Sequence, residues 1–161
     1  MTFKELTVTT RRRRECLDIT PEIEKVLAES GMKEGFCHVY VPHTTAALVV
    51  NEAKDPAVME DILAHLALLV PEKGNYRHRC KDQNPDSHIQ AALLGNQRTL
   101  FVREGILWLG TYPRLFFCEL DGPRERQVWV GLQPLHLPPP SRDGQRDQKD
   151  GRGRKKIKAS R

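Results

Sequence analysis

Residues 35–52 read GFCHVYVPHTTAALVVNE, and the pattern of this stretch decides the fold. Residues 35–41 alternate Phe, His and Tyr with Cys and Val, so neither face of the predicted strand is strongly polar. Such a strand is typical of the centre of a sheet, where both faces are covered. Pro42 and His43 then turn the chain, and residues 46–50 form a second apolar run. The stretch therefore predicts two buried strands joined by a polar connection.

Apolar periodicity on either side of this stretch predicts further strands and helices. Thr20-Pro21 and Asp55-Pro56 each combine a helix-capping side chain with a proline at the first helical position. Short turns such as Asp121-Gly122-Pro123 connect the later strands. The element order ββαββααββββ indicates an α+β fold. We expect a single domain over residues 1–137, a largely antiparallel sheet sandwich with two to three helices.

The excess positive charge lies at the end of the chain. The protein has 26 Lys and Arg against 21 Asp and Glu, and residues 138–161 hold nine of the former and three of the latter. This segment begins with three prolines and has Ile157 as its only bulky apolar residue, so we predict a disordered basic tail. A solubilising role is the simpler interpretation. Weak nucleic-acid or polyanion contact, or a nuclear address, is the alternative.

A second basic run, Arg11 to Arg14, lies between two predicted strands. Contact with a phosphate is one interpretation of four adjacent arginines. A solvated hairpin tip is the simpler interpretation, because charge runs usually form solvated surface.

Cysteine usage and hydropathy predict a protein of the reducing cytosol. The four cysteines show no CxxC spacing, and the first five residues lack the apolar core of a secretory leader. Cys37 and Cys118 fall in apolar alternating runs and are predicted to be buried thiols. Apolar runs such as Leu66 to Val70 are far shorter than the ~18 to 20 residues that cross a bilayer, so no membrane span is expected. A nuclear location is the alternative for a eukaryotic source, because of the basic tail.

Three histidines, His43, His78 and His88, are the candidate metal ligands. Catalytic zinc sites often use three protein ligands and leave one position open, so three imidazoles favour a divalent cofactor such as zinc or magnesium. The spacing from His78 to His88 matches no metal fingerprint. Separate loop histidines on a polar rim are therefore the alternative.

Two further groups are candidates for chemistry. Asp55 is explained by helix capping, whereas Glu52 has no structural task in the pattern and is the better candidate for a general base. The turn that contains Gly110 and Thr111 offers backbone amides and a hydroxyl to an anionic group.

Several ordered motifs between Leu6 and Leu132 carry a resemblance to a known family. They are His43-Thr44-Thr45-Ala46-Ala47-Leu48, Asn51-Glu52, Asp55-Pro56, Asn75-Tyr76-x-His78, Ser87-His88, Leu94-Gly95, Gly105-Ile106 and Leu109-Gly110-Thr111. With these motifs the chain resembles the YjbQ-like family of small proteins, described as secondary thiamine-phosphate synthases. One departure lies at Tyr112-Pro113, where the family usually reads Trp-Gln.

The resemblance implies an α+β domain that assembles as a homotrimer, with polar pockets near the subunit boundaries. It implies that His43, His78 and His88 form a metal- or phosphate-binding cluster, with His43 and Glu52 as catalytic residues. The residues it assigns to substrate binding are Thr44, Thr45, Asn51, Gly110 and Thr111.

The implied activity joins an aminopyrimidine diphosphate to a thiazole phosphate and releases pyrophosphate, with a divalent metal assisting. The alternative is a non-catalytic trimer that binds a phosphorylated small molecule or a partner protein. Turnover that is lost in His43→Ala while the fold stays intact would favour the enzyme.

Overall fold

The predicted element order and the α+β class are confirmed by the structure, a computed structural model that describes residues 2–78 and 83–135. The strands are β1 (Thr2–Thr9), β2 (Glu15–Asp18), β3 (Gly35–Tyr40), β4 (Ala46–Glu52), β5 (Gln97–Arg103), β6 (Ile106–Leu107), β7 (Pro113–Glu119) and β8 (Glu125–Pro134). The helices are α1 (Thr20–Ser30), α2 (Ala57–Leu69) and α3 (Pro85–Leu94). The predicted basic tail, residues 138–161, lies outside the described residues.

The strands pair into two antiparallel sheets. The larger sheet has the order β1-β8-β3-β5-β6, and the smaller has the order β2-β7-β4. β3, which begins at Gly35, pairs with β5 on one side and with β8 on the other. This central position was predicted because neither face of the strand is strongly polar. A Cβ at Gly35 would lie 2.2 Å from the carbonyl oxygen of Gln133, so glycine allows β8 to approach the start of β3.

Two apolar layers hold the fold together. The first fills the space between the two sheets and includes Cys37, Leu48 and Phe117, with Ile23 and Leu27 of α1 packed into it. The second lies on the other face of the smaller sheet, under α2 and α3; its buried members are Ala47, Met59, Ala91, Phe116, Cys118 and Leu120. Among the described helices, none is long and apolar enough to cross a membrane.

The two predicted helix starts differ in detail. The hydroxyl of Thr20 accepts the N–H of Leu115 over 2.8 Å, so it ties α1 to β7 and does not cap its own helix. Asp55 accepts the N–H of Ala57 over 3.0 Å at the start of α2, which is the structural role expected of it.

The expectation of a solvated hairpin tip at Arg11 to Arg14 is wrong. β1 pairs with β8 and β2 pairs with β7, so the arginines connect two sheets. Arg13 and Arg14 both pair with the carboxylate of Asp86 on α3, which is completely buried. Burying a carboxylate is costly unless it is paired and hydrogen-bonded, and this requirement explains why the two guanidinium groups lie against Asp86.

The outer face of the larger sheet carries two groups of aromatic side chains. Trp129 contacts Phe3 and Tyr40 on the neighbouring strands, with ring centroids 6.0 and 5.6 Å apart. Phe101 contacts Phe36 at 5.3 Å and Trp108 at 6.5 Å. We call these six residues the aromatic face, of which Phe3, Tyr40, Phe101 and Trp108 are exposed. Exposed apolar surface concentrated on one face is typical of an interface.

Candidate functional site: the histidine cleft

The connection between β3 and β4 holds His43 in a fixed place. The N–H of Val41 donates to the carbonyl of Asn96 over 2.9 Å, and the Asn96 side-chain amide donates back to the Val41 carbonyl over 3.2 Å. At the other end, the N–H of Leu120 donates to the carbonyl of Thr45 over 3.2 Å. Backbone bonds at both ends therefore restrain a short loop and position His43, which is half-buried.

The hydrogen bond of His43 determines its tautomer. The backbone N–H of Gln127 lies 2.9 Å from Nε2 of His43. A backbone N–H only donates, so Nε2 carries a lone pair and the proton of the neutral ring is on Nδ1. Burial of the ring lowers the pKa of His43, Arg126 lowers it further, and Glu119 opposes the shift. His43 is thus a neutral imidazole that offers an N–H at Nδ1, which favours a donor role over a basic one.

The other two histidines lie side by side. The rings of His78 and His88 have centroids 5.3 Å apart and are nearly perpendicular, with an interplanar angle of 82°. His88 is half-buried in the first turns of α3, and His78 is exposed in the loop before it. The sequence prediction that these two motifs meet is consistent with this geometry.

Two neighbouring cavities are lined by the three imidazoles. A cavity of about 370 Å³ is lined by His43, Thr44, His88 and Asn96, among others. A second cavity of about 340 Å³ is lined by Tyr76, Arg77, His78, Pro85, His88 and Ile89. His88 lines both, so we treat the two cavities as one site and call it the histidine cleft. The described lining residues of these two cavities include no Asp or Glu, whereas a neighbouring cavity that shares Tyr76, His78 and Pro85 with them is also lined by Glu72.

The expected three-histidine metal site is only partly assembled. Among residues 2–78 and 83–135, no group of three or more His, Cys, Asp or Glu side chains is placed to hold one metal ion. His78 and His88 are in contact, whereas Nε2 of His43 is occupied by the Gln127 N–H. Metal binding stays a prediction.

The candidate residues Asn51, Glu52, Gly110 and Thr111 lie at the opposite end of β4. His43 precedes this strand and Glu52 ends it, a separation of roughly 20 Å along the strand at ~3.3 Å per residue. Glu52 lies near the exposed turn of Gly110 and Thr111, because the N–H of Ala53 donates to the carbonyl of Tyr112 over 3.2 Å. Within one chain, therefore, His43 and Glu52 do not share a site.

Sequence reasoning missed a buried ion pair beside His43. Arg126 donates from Nε and Nη2 to the two carboxylate oxygens of Glu119, each over 2.7 Å. Glu119 is fully buried and Arg126 is 5% exposed. The available signal was Glu119, a charged residue within the apolar run that precedes the Asp121-Gly122-Pro123 turn; Arg126 lies in a polar run after the turn and gave no signal.

Comparison with known proteins identifies the relatives of this chain. Residues 4–134 match the family model described as "UPF0047 protein YjbQ-like". A UPF0047 protein of Methanocaldococcus jannaschii is 42% identical over 125 residues, which cover 78% of this chain and 89% of the relative. The UPF0047 protein YugU of Bacillus subtilis is 38% identical over 131 residues, which cover 81% and 98%.

Solved structures show the same fold. A hypothetical protein from Aeropyrum pernix superimposes with a TM-score of 0.80 at 41% identity, covering 84% of this chain and 100% of its own. An uncharacterised protein of the YjbQ/UPF0047 family from Clostridium acetobutylicum gives a TM-score of 0.78 at 38% identity, covering 81% and 99%.

The predicted thiamine-phosphate synthase activity is wrong as an assignment. The relatives above are named as UPF0047 proteins, as uncharacterised or as hypothetical, and another solved neighbour is titled a protein of unknown function. None of these names mentions a synthase activity or a thiamine substrate. The motifs that resemble this family identify the family, but they are not evidence for the activity attributed to it.

Proposed function

We propose that this chain, which belongs to the UPF0047 family of YjbQ-like proteins, binds a small phosphate-bearing molecule in the histidine cleft. The observation that carries the proposal is the chemistry of the cleft wall. Its described polar groups are imidazole, guanidinium, amide and hydroxyl groups, with no carboxylate among them. The rest of the wall is largely apolar, so these few donor groups are the ones that can pair with an oxyanion, and no carboxylate of the two cavities opposes it.

Four polar residues of the cleft supply different interactions. His43 offers Nδ1–H, because its Nε2 accepts the Gln127 N–H. His88 lies where the two cavities join and is the residue that a ligand spanning them would contact. Arg77 adds a permanent positive charge at the His78 end, where a guanidinium pairs well with phosphate. Thr44 supplies a hydroxyl beside His43.

The size of the cleft supports a metabolite as the ligand. Its two parts measure about 370 and 340 Å³, and pockets for small molecules usually measure ~300 to 1,000 Å³. The connection from β3 and the first turns of α3 provide rigid supports, as a preorganised site requires.

A homotrimer is part of the proposal. Asn51, Glu52, Gly110 and Thr111 keep their proposed ligand-binding roles, with Glu52 as a base, only if a neighbouring copy presents them to the cleft. The distance along β4 makes this necessary. The exposed aromatic face supports assembly, because Phe101, Trp108 and Phe3 are each about 60% exposed in the single chain.

Divalent metal binding is the second candidate function. The contact between His78 and His88 favours it, since two neutral imidazoles are two of the ligands that zinc prefers. Metal analysis of the purified protein by mass spectrometry tests it, and stoichiometric zinc that is lost in His88→Ala would support it.

The proposed setting is the reducing cytosol. Cys16, Cys37 and Cys118 are free thiols among the described residues, which supports this setting. The nuclear alternative depends on the basic tail, outside the described residues.

Calorimetric titration with inorganic phosphate tests the main proposal. We expect saturable binding that weakens about tenfold in His88→Ala, because a hydrogen bond to a charged group contributes ~1.5 to 3 kcal/mol. His65→Ala is the matched control: His65 is exposed on α2, where its ring contacts only the carbonyl of Asp61, and it does not line the cleft. Acetate titration tests selectivity. Phosphate binding that is absent, or unchanged in His88→Ala, would contradict the proposal.

A further inference from the structure

The buried ion pair of Arg126 and Glu119 has all of its carboxylate oxygens bonded. Besides Arg126, Oε1 of Glu119 accepts the N–H of Leu120 over 3.0 Å and that of Asp121 over 2.9 Å. The hydroxyl of Thr10 lies 3.2 Å from Oε2. Glu119 is therefore a fixed anion, and it holds the guanidinium of Arg126 in a single orientation.

Arg126 reaches the His43 loop in two ways. Its Nη2 donates to the hydroxyl of Thr45 over 2.9 Å. Its neighbour in the chain, Gln127, donates its backbone N–H to Nε2 of His43 over 2.9 Å. The guanidinium thus holds the C-terminal end of the loop, while the adjacent backbone holds the imidazole.

Stability alone is a poor explanation for this pair. Removing two charges from water costs several kcal/mol, and an apolar pair of similar volume is often as stable or more stable. Buried apolar residues of both layers lie close to the pair in sequence: Val128 in the layer between the sheets, and Leu120 in the layer under α2 and α3. The charged pair is better explained by its role in orienting the His43 loop.

We propose that Arg126, held by Glu119, is a positioning residue that fixes the loop of His43 and Thr45 so that His43 keeps its Nδ1–H tautomer for the ligand of the histidine cleft. This inference rests on the proposed function, since it assigns a task to the same cleft. Arg126 itself does not line the cleft and acts through Thr45 and Gln127.

The two charges of the pair act on His43 in opposite directions. Arg126 lowers the pKa of His43 and Glu119 raises it, in addition to the lowering by burial. The remaining titratable neighbour that lines the same cavity is His88.

NMR measurement of the ring nitrogens of His43 in the full chain reports the tautomer and tests the inference without any ligand. We expect the Nδ1–H tautomer alone in the unaltered protein and a mixture of both tautomers in Arg126→Gln and in the double variant Arg126→Gln/Glu119→Gln. An unchanged Nδ1–H tautomer in the folded variants would overturn the inference. The double variant removes both charges together, so it avoids an unpaired buried charge and remains informative if a single variant does not fold.

Thr45→Val separates positioning from electrostatics, because it removes the contact with Arg126 and leaves both charges in place. We expect the Gln127 amide to exchange its hydrogen faster. We also expect the affinity for phosphate to be about fivefold to tenfold weaker, because the loss of one hydrogen bond costs ~1 kcal/mol or more. Thr9→Val makes the same change at an exposed position on β1 and serves as the control. Unchanged Gln127 exchange in Thr45→Val would overturn the positioning role.

The outcomes distinguish this inference from the proposed function. Absence of phosphate binding in the unaltered protein would contradict the proposed function, and the His43 tautomer and the Gln127 exchange would still decide the positioning role. Intact phosphate binding with an unchanged His43 tautomer and unchanged Gln127 exchange in the variants would overturn the positioning role alone.

Discussion

Cys16 and Cys118 face each other directly across the antiparallel pair of β2 and β7. Cys118 is completely buried, whereas Cys16 is half-buried beside it and lines a groove on the protein surface. A hydrogen bond with Cys16, together with burial, raises the pKa of Cys118 well above its usual range. Burial raises the pKa of Cys37 to about 12. Cys37 and Cys118 are therefore protonated and shielded, whereas Cys16 is accessible at the protein surface.

We predict that iodoacetamide near neutral pH labels Cys16 well before Cys37 and Cys118. The thiolate is the reactive form, and two of these thiols stay protonated and shielded. Mass spectrometry of peptides after timed labelling measures the order. The denatured protein is the control, in which all three should react at similar rates. Equal labelling of Cys118 and Cys16 in the folded protein would contradict the packing between β2 and β7.

A second prediction concerns stability and pH. The pKa of His43 is lowered in the folded protein, and an unfolded histidine titrates near ~6.5. Below ~6.5 the unfolded chain binds this proton more readily, so His43 contributes to a loss of stability as pH falls through this range. We expect His43→Gln to show a shallower decline of the unfolding free energy below ~6.5. Urea unfolding across the pH range measures it, with His65→Gln as the matched control, and an unchanged slope in His43→Gln would count against the lowered pKa.

A third prediction concerns the arginine connection. Asp86 is completely buried and pairs with Arg13 and Arg14, whose side chains are 37% and 20% exposed. Breaking a buried pair leaves an uncompensated charge and costs ~3 to 5 kcal/mol, and the partial exposure of the arginines favours the lower end. We expect Asp86→Asn to reduce the unfolding free energy by about 3 kcal/mol in urea titrations. Asp61→Asn, at an exposed site on α2, should change it by less than ~0.5 kcal/mol.

A fourth prediction concerns assembly. Light scattering at micromolar concentration should give the mass of a trimer. Phe101→Ser, on the aromatic face, should shift the population towards monomers, because it removes apolar area from the proposed contact. Leu68→Ser is the control, since Leu68 is 78% exposed on α2 and lies away from this face. A monomer mass for the unaltered protein would exclude the trimer.

A fifth prediction concerns the basic tail. Deleting residues from Ser141 onward should leave the melting temperature nearly unchanged, since the composition of this segment does not favour burial. The same deletion should reduce retention on an RNA or DNA column at low salt. A melting temperature lower by several degrees would mean that the tail packs against the domain.

Local pattern was enough to predict most of the fold. Neither face of the strand that begins at Gly35 is strongly polar, and this predicted that β3 lies between two partner strands. The helical spacing of apolar residues after Pro56 predicted α2. Burial of Cys37 and Cys118 followed from the strands in which they lie. Backbone periodicity and turn chemistry act over a few residues, so the amino-acid sequence by itself determined the elements, their order and the α+β class.

Tertiary structure alone decided which side chains share a site. His43 and Glu52 are nine residues apart in the sequence, yet an extended strand places them at opposite ends of β4. Glu119 and Arg126 looked like interruptions of two strands, and only the register of β7 and β8 against the His43 loop turned them into a pair beside His43. Arg13 and Arg14 pair with Asp86 because the fold places this buried carboxylate beside them. Long-range pairing and the need to compensate each buried charge are set by the whole fold, and no local pattern encodes them.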